Sequence, residues 1–423
     1  KGTKFFTTTR PYTEITYLIG GRAEQMAQVM HTQNRNSNLN FTFEYRLINS
    51  PGSFKSTNTS HSNLRINIGY SSSNKRYGNN LIVISNKIRS SLNGGIVDAA
   101  ELTGLSFNDP FAVATKLGNN SSFSRNFSSN IRTGNIYDER VFLFRQYYDL
   151  GQRDSLVTDS VTYKLFYPRF RIQHTLEYHK EDYIFQDLFP EDSIYRQTYN
   201  LIIIGDTVRF QDRWQNITND VSLISYPQKD NQNQFLKLSA GYELIYGGYY
   251  PYITKYNNIY AGGEYRNRTR NQKWDIVAAA RLYVSGEYSG NYNAFISLER
   301  ELGNNAGSLQ IGFNNVNRSP SAIFSRQISS FPVFTGIGFK NENISKIFAS
   351  VQFSKLKLLL QGNYYIVANY TYFNNYFNAV QQSAVFNVLH VSAEKKVPVS
   401  KNLNWYIEAH VQQTTGQAPV NLP

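Results

Sequence analysis

Hydrophobic alternation with period two runs through this chain from one end to the other, and no other feature constrains the fold as tightly. Around Asn40, the apolar side chains Phe41, Phe43, Tyr45 and Leu47 alternate with Asn40, Thr42, Glu44 and Arg46. Leu64, Ile66, Ile68 and Tyr70 alternate with Asn63, Arg65, Asn67 and Gly69. Later, Leu236, Leu238, Ala240, Tyr242 and Leu244 oppose Lys237, Ser239, Gly241 and Glu243, and Trp405, Ile407, Ala409 and Val411 oppose Tyr406, Glu408, His410 and Gln412. Successive side chains of a strand point to opposite faces, so each segment carries one apolar and one polar face.

A soluble sandwich would turn such apolar faces inward. Three features favour a strand that crosses a bilayer instead. The segments run about ten residues, the length a tilted spanning strand needs, whereas soluble strands average five or six. Aromatic residues recur near segment ends, as at Tyr12 and Tyr17, Tyr70 and Tyr77, and Tyr147-Tyr148, where interfacial girdles sit. The polar faces mix Arg, Glu, Asn and Gln, which suits a wet lumen. Charged residues make up only 17% of the chain and aromatic ones 15%, so much of its surface must be covered by something other than charge. No apolar run is long enough for a spanning helix, and a closed barrel is the other structure that satisfies every backbone group in lipid.

The expected fold is therefore all-β, a large antiparallel transmembrane barrel of about 14–18 strands. Its segments are 12–20, 22–33, 38–49, 61–73, 77–90, 137–149, 163–180, 214–226, 233–247, 256–268, 272–286, 291–301, 307–317, 342–354, 355–368, 383–397 and 402–413. Ser50-Pro51-Gly52, Gly247-Gly248, Leu302-Gly303-Asn304-Asn305 and Arg318-Ser319-Pro320-Ser321 read as turns. Residues 1–423 form a single barrel domain. Within it, residues 93–135 lack alternation, from Asn93-Gly94-Gly95-Ile96 through Asn119-Asn120-Ser121-Ser122 and Asn126-Phe127-Ser128-Ser129. They read as a long loop or a lumen constriction, with one short helical turn at Asp98–Leu102. A second loop is expected over 185–212.

Little else in the sequence offers chemistry. Cysteine is absent, which removes disulfides and thiolate metal sites. The densest ionisable cluster is His174, Glu177, His179, Glu181 and Asp182, but His174 faces away from Glu177, His179 and Glu181, too few convergent ligands for zinc. Ser60 and Ser62 flank His61 in what reads as a turn, not as a nucleophile with its base. Gly-x-Ser-x-Gly elbows, phosphate loops and dinucleotide fingerprints are missing, so neither an enzyme nor a cofactor is expected. The net charge of +13 is scattered singly, without the patch that nucleic acid requires. The candidate functional residues are charged side chains on the polar faces: Arg46, Arg65, Arg171, Lys237 and Arg281, beside Glu44, Glu177 and Glu243.

The amino end is more specific. Phe5-Phe6-Thr7-Thr8-Thr9-Arg10-Pro11-Tyr12-Thr13-Glu14-Ile15 precedes Tyr17-Leu18-Ile19-Gly20-Gly21 and Ala23-Glu24-Gln25. His31-Thr32-Gln33-Asn34, Pro51-Gly52, Lys75-Arg76-Tyr77 and Asn93-Gly94-Gly95-Ile96 follow, and Asn369-Tyr370-Thr371-Tyr372-Phe373 and the stretch from Gln412 to Pro423 continue the likeness. This succession resembles the putative-porin family of Bacteroidota outer membranes. The resemblance implies a multi-pass barrel of the outer membrane. Members generally continue beyond the position of Pro423, so the chain reads as a portion of a longer protein; the alternative is direct closure between segments 12–20 and 402–413. The expected function is passive diffusion of small hydrophilic solutes with a mild preference for anions, from the basic residues on the polar faces. The alternative is a scaffold subunit of an envelope secretion or surface-display complex. Expected partners are outer-membrane lipid, small hydrophilic solutes and other envelope proteins, with no nucleic acid.

Overall fold

The computed structural model describes residues 3–104, 109, 112–118, 131–157, 162–249, 251–303, 306–325, 338–375, 378–401 and 403–419. Its strands are β1 (Tyr12–Ile19), β2 (Gln25–Asn36), β3 (Leu39–Ser50), β4 (Thr59–Ser71), β5 (Tyr77–Ser91), β6 (Thr133–Val157), β7 (Thr162–Asp187), β8 (Val208–Ser225) and β9 (Gln234–Tyr249). They continue as β10 (Thr254–Arg268), β11 (Trp274–Gly286), β12 (Tyr292–Leu302), β13 (Gly307–Arg318), β14 (Glu342–Phe353), β15 (Leu358–Ala368), β16 (Tyr370–Asn375), β17 (Asn378–Gln382), β18 (Phe386–Pro398) and β19 (Asn404–Gly416). One helix, α1 (Asp192–Tyr199), joins β7 to β8.

Seventeen strands make one sheet, and each pairs antiparallel with the next along the chain, β15 passing to β18 because β16 and β17 form a separate hairpin. All the expected segments are strands of this sheet. The largest differences in length are β6 and β7, of 25 and 26 residues. Beyond Tyr148, β6 no longer pairs with β5, and β7 meets β8 only from Phe170 on, so the remainder of both strands projects as a two-stranded arm. Without flanking strands the arm has no lipid-facing wall to impose an apolar row; the expected segments took in its β7 half from 163 but stopped at 149 on β6.

Three local readings need correction. Gly247-Gly248 is no turn but the end of β9, where the absence of a side chain lets the Trp214 ring lie within 2.0 Å of the position a Cβ on Gly247 would take. Ser60-His61-Ser62 opens β4, so His61 points to the face opposite the two serines. The 185–212 region is shorter than expected and holds α1, because Asp187 closes β7 and Val208 already opens β8.

The burial pattern is inverted relative to a soluble protein. The expected apolar rows are exposed, at 40% for Phe41, 37% for Tyr45, 43% for Leu236 and 57% for Leu238. The most buried side chains are polar, among them Thr32, Thr42, Asn49, Ser222 and Asn258. No second sheet covers the apolar rows among the described residues, so the sandwich is excluded. An apolar face turned outward on a continuous ladder needs hydrocarbon around it.

The two ends of the sheet differ. At one end the connections span 51–58, 92–132, 188–207 and 319–341; at the other they are as short as 37–38, 72–76 and 354–357. At the long end, Ile96 bridges to Thr115, and Ala99–Leu102 form a 3-10 turn whose cap is Asp98, accepting from the Ala100 N–H at 2.9 Å. Asn119–Ser122 and Asn126–Ser129 lie outside the described residues. Leu117 packs with Tyr195 of α1 and Val208, over Phe185 and Phe210, so both irregular segments fold onto the polar-face side. Buried Asp187 ties them to the wall by accepting from Thr133 at 2.9 Å, Tyr195 at 2.9 Å and the Phe189 N–H at 3.1 Å. Burial holds the Tyr195 phenol above its ordinary pKa, with Asp187 adding to the effect.

Candidate functional site

Directly opposed residues of adjacent strands share a face, so the registers assign every polar-face residue. They place Glu44, Arg46, Arg65, Arg171, Glu177, Lys237, Glu243 and Arg281 all opposite the apolar rows. The eight nevertheless fall into separate environments. Glu44 accepts from Arg46 at 3.4 Å and Arg65 at 3.3 Å, and Arg46 also donates to Gln28 at 2.9 Å. The segment before β1 covers this group: Thr8 N–H donates to Asn34 at 3.2 Å, and Asn67 donates to the Lys4 carbonyl at 3.1 Å. A cavity of about 880 Å³ remains between Thr7–Pro11 and these three charges.

Arg171 is locked rather than free. Its guanidinium forms a two-pronged pair with Asp149 at 2.7 and 2.8 Å and lies 3.9 Å from the Tyr147 ring centroid. Glu243 is likewise held, accepting from Asn216 at 2.9 Å and from Asn258 at 3.2 Å. Lys237 stands opposite Glu264. Glu177 faces Leu143 on one side and Thr218 on the other. Arg281 sits 4.4 Å over the ring of Tyr260, whose hydroxyl donates to Asp220 at 2.9 Å.

The structure also assembles a region that sequence reasoning missed. Residues from β6, β7, β8, β11, β12 and β13 border one cavity of about 790 Å³. Strands this far apart in the ladder can share a cavity only if the sheet curls with its polar face inward. Tyr137, Tyr183, Trp214, Tyr283 and Tyr288 supply aromatic rings, Glu181 and Asp212 carboxylates, Arg281 and Arg318 guanidinium groups, and Asn293 an amide. Tyr288 lies in the turn before β12, where burial pushes its pKa up to about 12, so it stays a neutral hydroxyl.

At the cavity's edge His179 lies 3.0 Å from Glu139 and 3.3 Å from Glu181. These three offer ligand atoms within 4.8 Å of one another. Asn86 donates to Glu139 at 2.5 Å and Tyr137 to Glu181 at 2.7 Å, so the triad is satisfied by its own neighbours. The expected His174–Asp182 cluster is thus divided. His174 meets Gln146 and Asn219 on the other face, and Glu139, not Glu177, completes the group around His179. Alternate positions 137 and 139, and 179, 181 and 183, were visible in the sequence, but their meeting depends on the β6–β7 register.

From β6 to β12, face assignment gives a balance of charge that overall composition does not show. From Thr133 of β6 through β12, the polar face carries Glu139, Asp149, Glu177, Glu181, Asp187, Asp212, Asp220, Glu243, Glu264, Asp275, Glu299 and Glu301. Against them stand Arg145, Arg171, Lys237, Arg266, Arg268 and Arg281. Arg140, Lys180, Arg209, Arg213, Lys255 and Arg300 contribute to the overall positive charge but lie on the opposite face. Net charge counts residues without regard to face, and here the two faces differ in sign.

A family model described as "Putative porin" matches residues 1–423. No curated protein sequence matches the chain. Among solved structures, the protein titled "Copper transporter OprC" superposes with a TM-score of 0.62 at 11% identity, covering 96% of this chain and 60% of its own. The siderophore receptor PirA from Pseudomonas aeruginosa gives 0.60 at 10% identity, covering 96% and 66%. A mutant ferric enterobactin receptor, PfeA, from the same organism gives 0.59 at 8% identity, covering 97% and 62%. The chain therefore spans about three fifths of the length of the first of these, and the likeness is one of fold.

Proposed function

Because the chain belongs to the putative-porin family of outer-membrane β-barrels, we propose that its polar face lines a water-filled path for passive diffusion of small hydrophilic solutes. The observation that carries this reading is the cavity bordered by β6–β8 and β11–β13, an aromatic space where Glu181 and Asp212 stand with Arg281 and Arg318 on the inward side of an otherwise lipid-facing wall. Rings of wall charge bias ion passage, and the excess of carboxylates from β6 to β12 favours cations. The mild anion preference expected from composition is replaced by a mild cation preference. The reading includes no catalysis, since the ionisable groups here are paired to one another rather than set as nucleophile and base. Lipid and permeating solutes are its partners, with other envelope proteins secondary.

Reversal potentials of the full-length protein in planar bilayers under a salt gradient test this directly. A potential on the cation side, shrinking as salt screens the wall over a Debye length of about 10 Å at 0.1 M, is expected. An anion-side potential would overturn the charge reading. A protein inserted without any conductance, with no plug bound, would favour the scaffold role in an envelope assembly.

A further inference from the structure

The outward face is apolar along most of its height, but not at the end with the long connections. On β5 to β8 its rows there carry Lys87, Arg89, Arg140, Lys180, Arg209 and Arg213, against two carboxylates, Asp138 and Asp182. From that band to Tyr77, Tyr148, Phe170 and Ser225 at the other end, the same rows hold no Asp, Glu, Lys or Arg. The band begins abruptly. Phe142 and Tyr178 oppose each other in the apolar rows, and two residues further on, about 7 Å along a strand, Arg140 and Lys180 take their places.

The band is not neutralised from within. Asp182 is already shared, pairing with Lys180 at 2.9 Å and with Arg213 at 2.5 Å. Among the described residues, no carboxylate lies within ion-pair distance of Lys87, Arg89, Arg140 or Arg209. Arg140 and Lys180 are moreover like charges directly opposite each other on neighbouring strands, an arrangement that destabilises a sheet. The apolar rows beside them lower the local dielectric and so enlarge the repulsion. An anion that spans both side chains removes it.

The geometry points to a binding site for the phosphate groups of an outer-leaflet lipid, whose acyl chains run down the apolar rows from Phe142 and Tyr178. Long connections of outer-membrane barrels lie outside the cell and short turns face the periplasm, which sets this band at the headgroup level of the outer leaflet. A phosphate monoester brings about two negative charges and three acceptor oxygens. The planar fork of Arg140 grips such oxygens in pairs, and the Lys180 ammonium meets them as a point charge. Lys87 on β5 and Arg209 on β8 extend the positive surface to either side. A lipid complements both parts of these strands, charge above and hydrocarbon below, whereas a soluble anion would use only the first. The site faces away from the lumen, so it is independent of what the barrel passes.

The test uses the full-length protein in uncharged detergent micelles and three probes: diphosphorylated lipid A, lipid A stripped of its phosphates, and inorganic phosphate. Native mass spectrometry should show the phosphorylated lipid retained and the other two not retained at the same concentration. Arg140→Gln with Lys180→Gln should weaken retention about twentyfold, at roughly fivefold for each cation lost near a lipid surface. Arg300→Gln removes an outward cation at the opposite end of the wall, beside Trp274, and should leave retention unchanged. The double variant carries its own folding check. Without lipid, its heat-modified gel shift should come at or above the temperature of the unmodified protein, because the repulsion is gone. The phosphorylated lipid should then raise the transition of the unmodified protein more than that of the variant. Equal retention of the stripped lipid, unchanged retention by the double variant, or an equal loss in Arg300→Gln would overturn the site. Inorganic phosphate held as well as the lipid would assign the band to a free anion and overturn the lipid reading. A polypeptide that co-purifies with the unmodified protein and is lost from the double variant would overturn it in favour of a protein partner.

Discussion

The polar faces of β1–β4 and of β6–β13 arise from the same alternation but form different environments. On β1–β4, Glu44 neutralises Arg46 and Arg65, and the segment before β1 lies over them. On β6–β13, carboxylates outnumber basic groups along the polar face, and aromatic rings border a cavity that Glu181 and Asp212 share with Arg281 and Arg318. Alternation puts a side chain on the inner face, yet what lies above it decides whether a solute meets it. The difference teaches that a lumen is defined by what remains uncovered, not by polarity alone.

The largest effect is expected at the structural boundary of the open region. Asp149→Ala removes one partner of the Arg171 pair and leaves a guanidinium largely out of water, a change that typically costs about 3–5 kcal/mol. The heat-modified gel shift of the full-length barrel should move to markedly lower temperature. An unchanged transition would mean that solvent reaches Arg171 freely and that this part of the wall is open too.

Next comes selectivity. Glu181→Gln with Asp212→Asn removes two carboxylates that border the cavity, and the cation-to-anion permeability ratio should fall by roughly a factor of two or more. Arg46→Gln with Arg65→Gln should leave the ratio nearly unchanged, because both groups are paired with Glu44 and the segment before β1 crosses over them. The comparison breaks if the arginine variant shifts the ratio as much as the carboxylate variant does. It is sharpened by deleting residues 4–11: the arginine substitutions should then begin to move the potential.

A smaller effect is expected at the rim. Tyr195→Phe deletes the hydroxyl that donates to Asp187, a loss of about 1 kcal/mol, seen as faster backbone hydrogen exchange over α1 with the ladder unaffected. The folded pKa of Tyr195 is raised, so its contribution is complete below the unfolded value of about 10 and is lost as pH rises through the folded value. Exchange over α1 in the unmodified protein should accordingly quicken at high pH, and this increment should be absent in Tyr195→Phe. The smallest effect is at Lys229→Ala. The pair it breaks, with Asp154 at 2.7 Å, is exposed on the projecting arm, and no measurable change in stability is expected.

Period-two patterning was enough to read the fold class, the strand segments and the face of every candidate residue, because a strand's geometry ties side-chain direction to parity of position. Glu44 and Arg46 could thus be assigned with the same rule as Lys237 and Glu243. The rule lapsed where its physical cause lapsed: on the β6 half of the unflanked arm, and on the β16–β17 hairpin, which takes no place in the wall. Gly247 misled for a related reason, since a glycine that makes room for Trp214 is indistinguishable in sequence from one that makes a turn.

What the sequence could not supply was everything that depends on two segments meeting. Glu139 joins His179 and Glu181 only through the β6–β7 register, and six strands border one cavity only because the sheet curls. Composition reported a basic protein, while the polar face of β6–β12 is acidic, because net charge is a sum over both faces and the solute meets one. The sequence by itself determined which way each side chain points, a local property of the strand. Only the tertiary structure decided which of those side chains are paired and which are covered, because these are properties of neighbours far away along the chain.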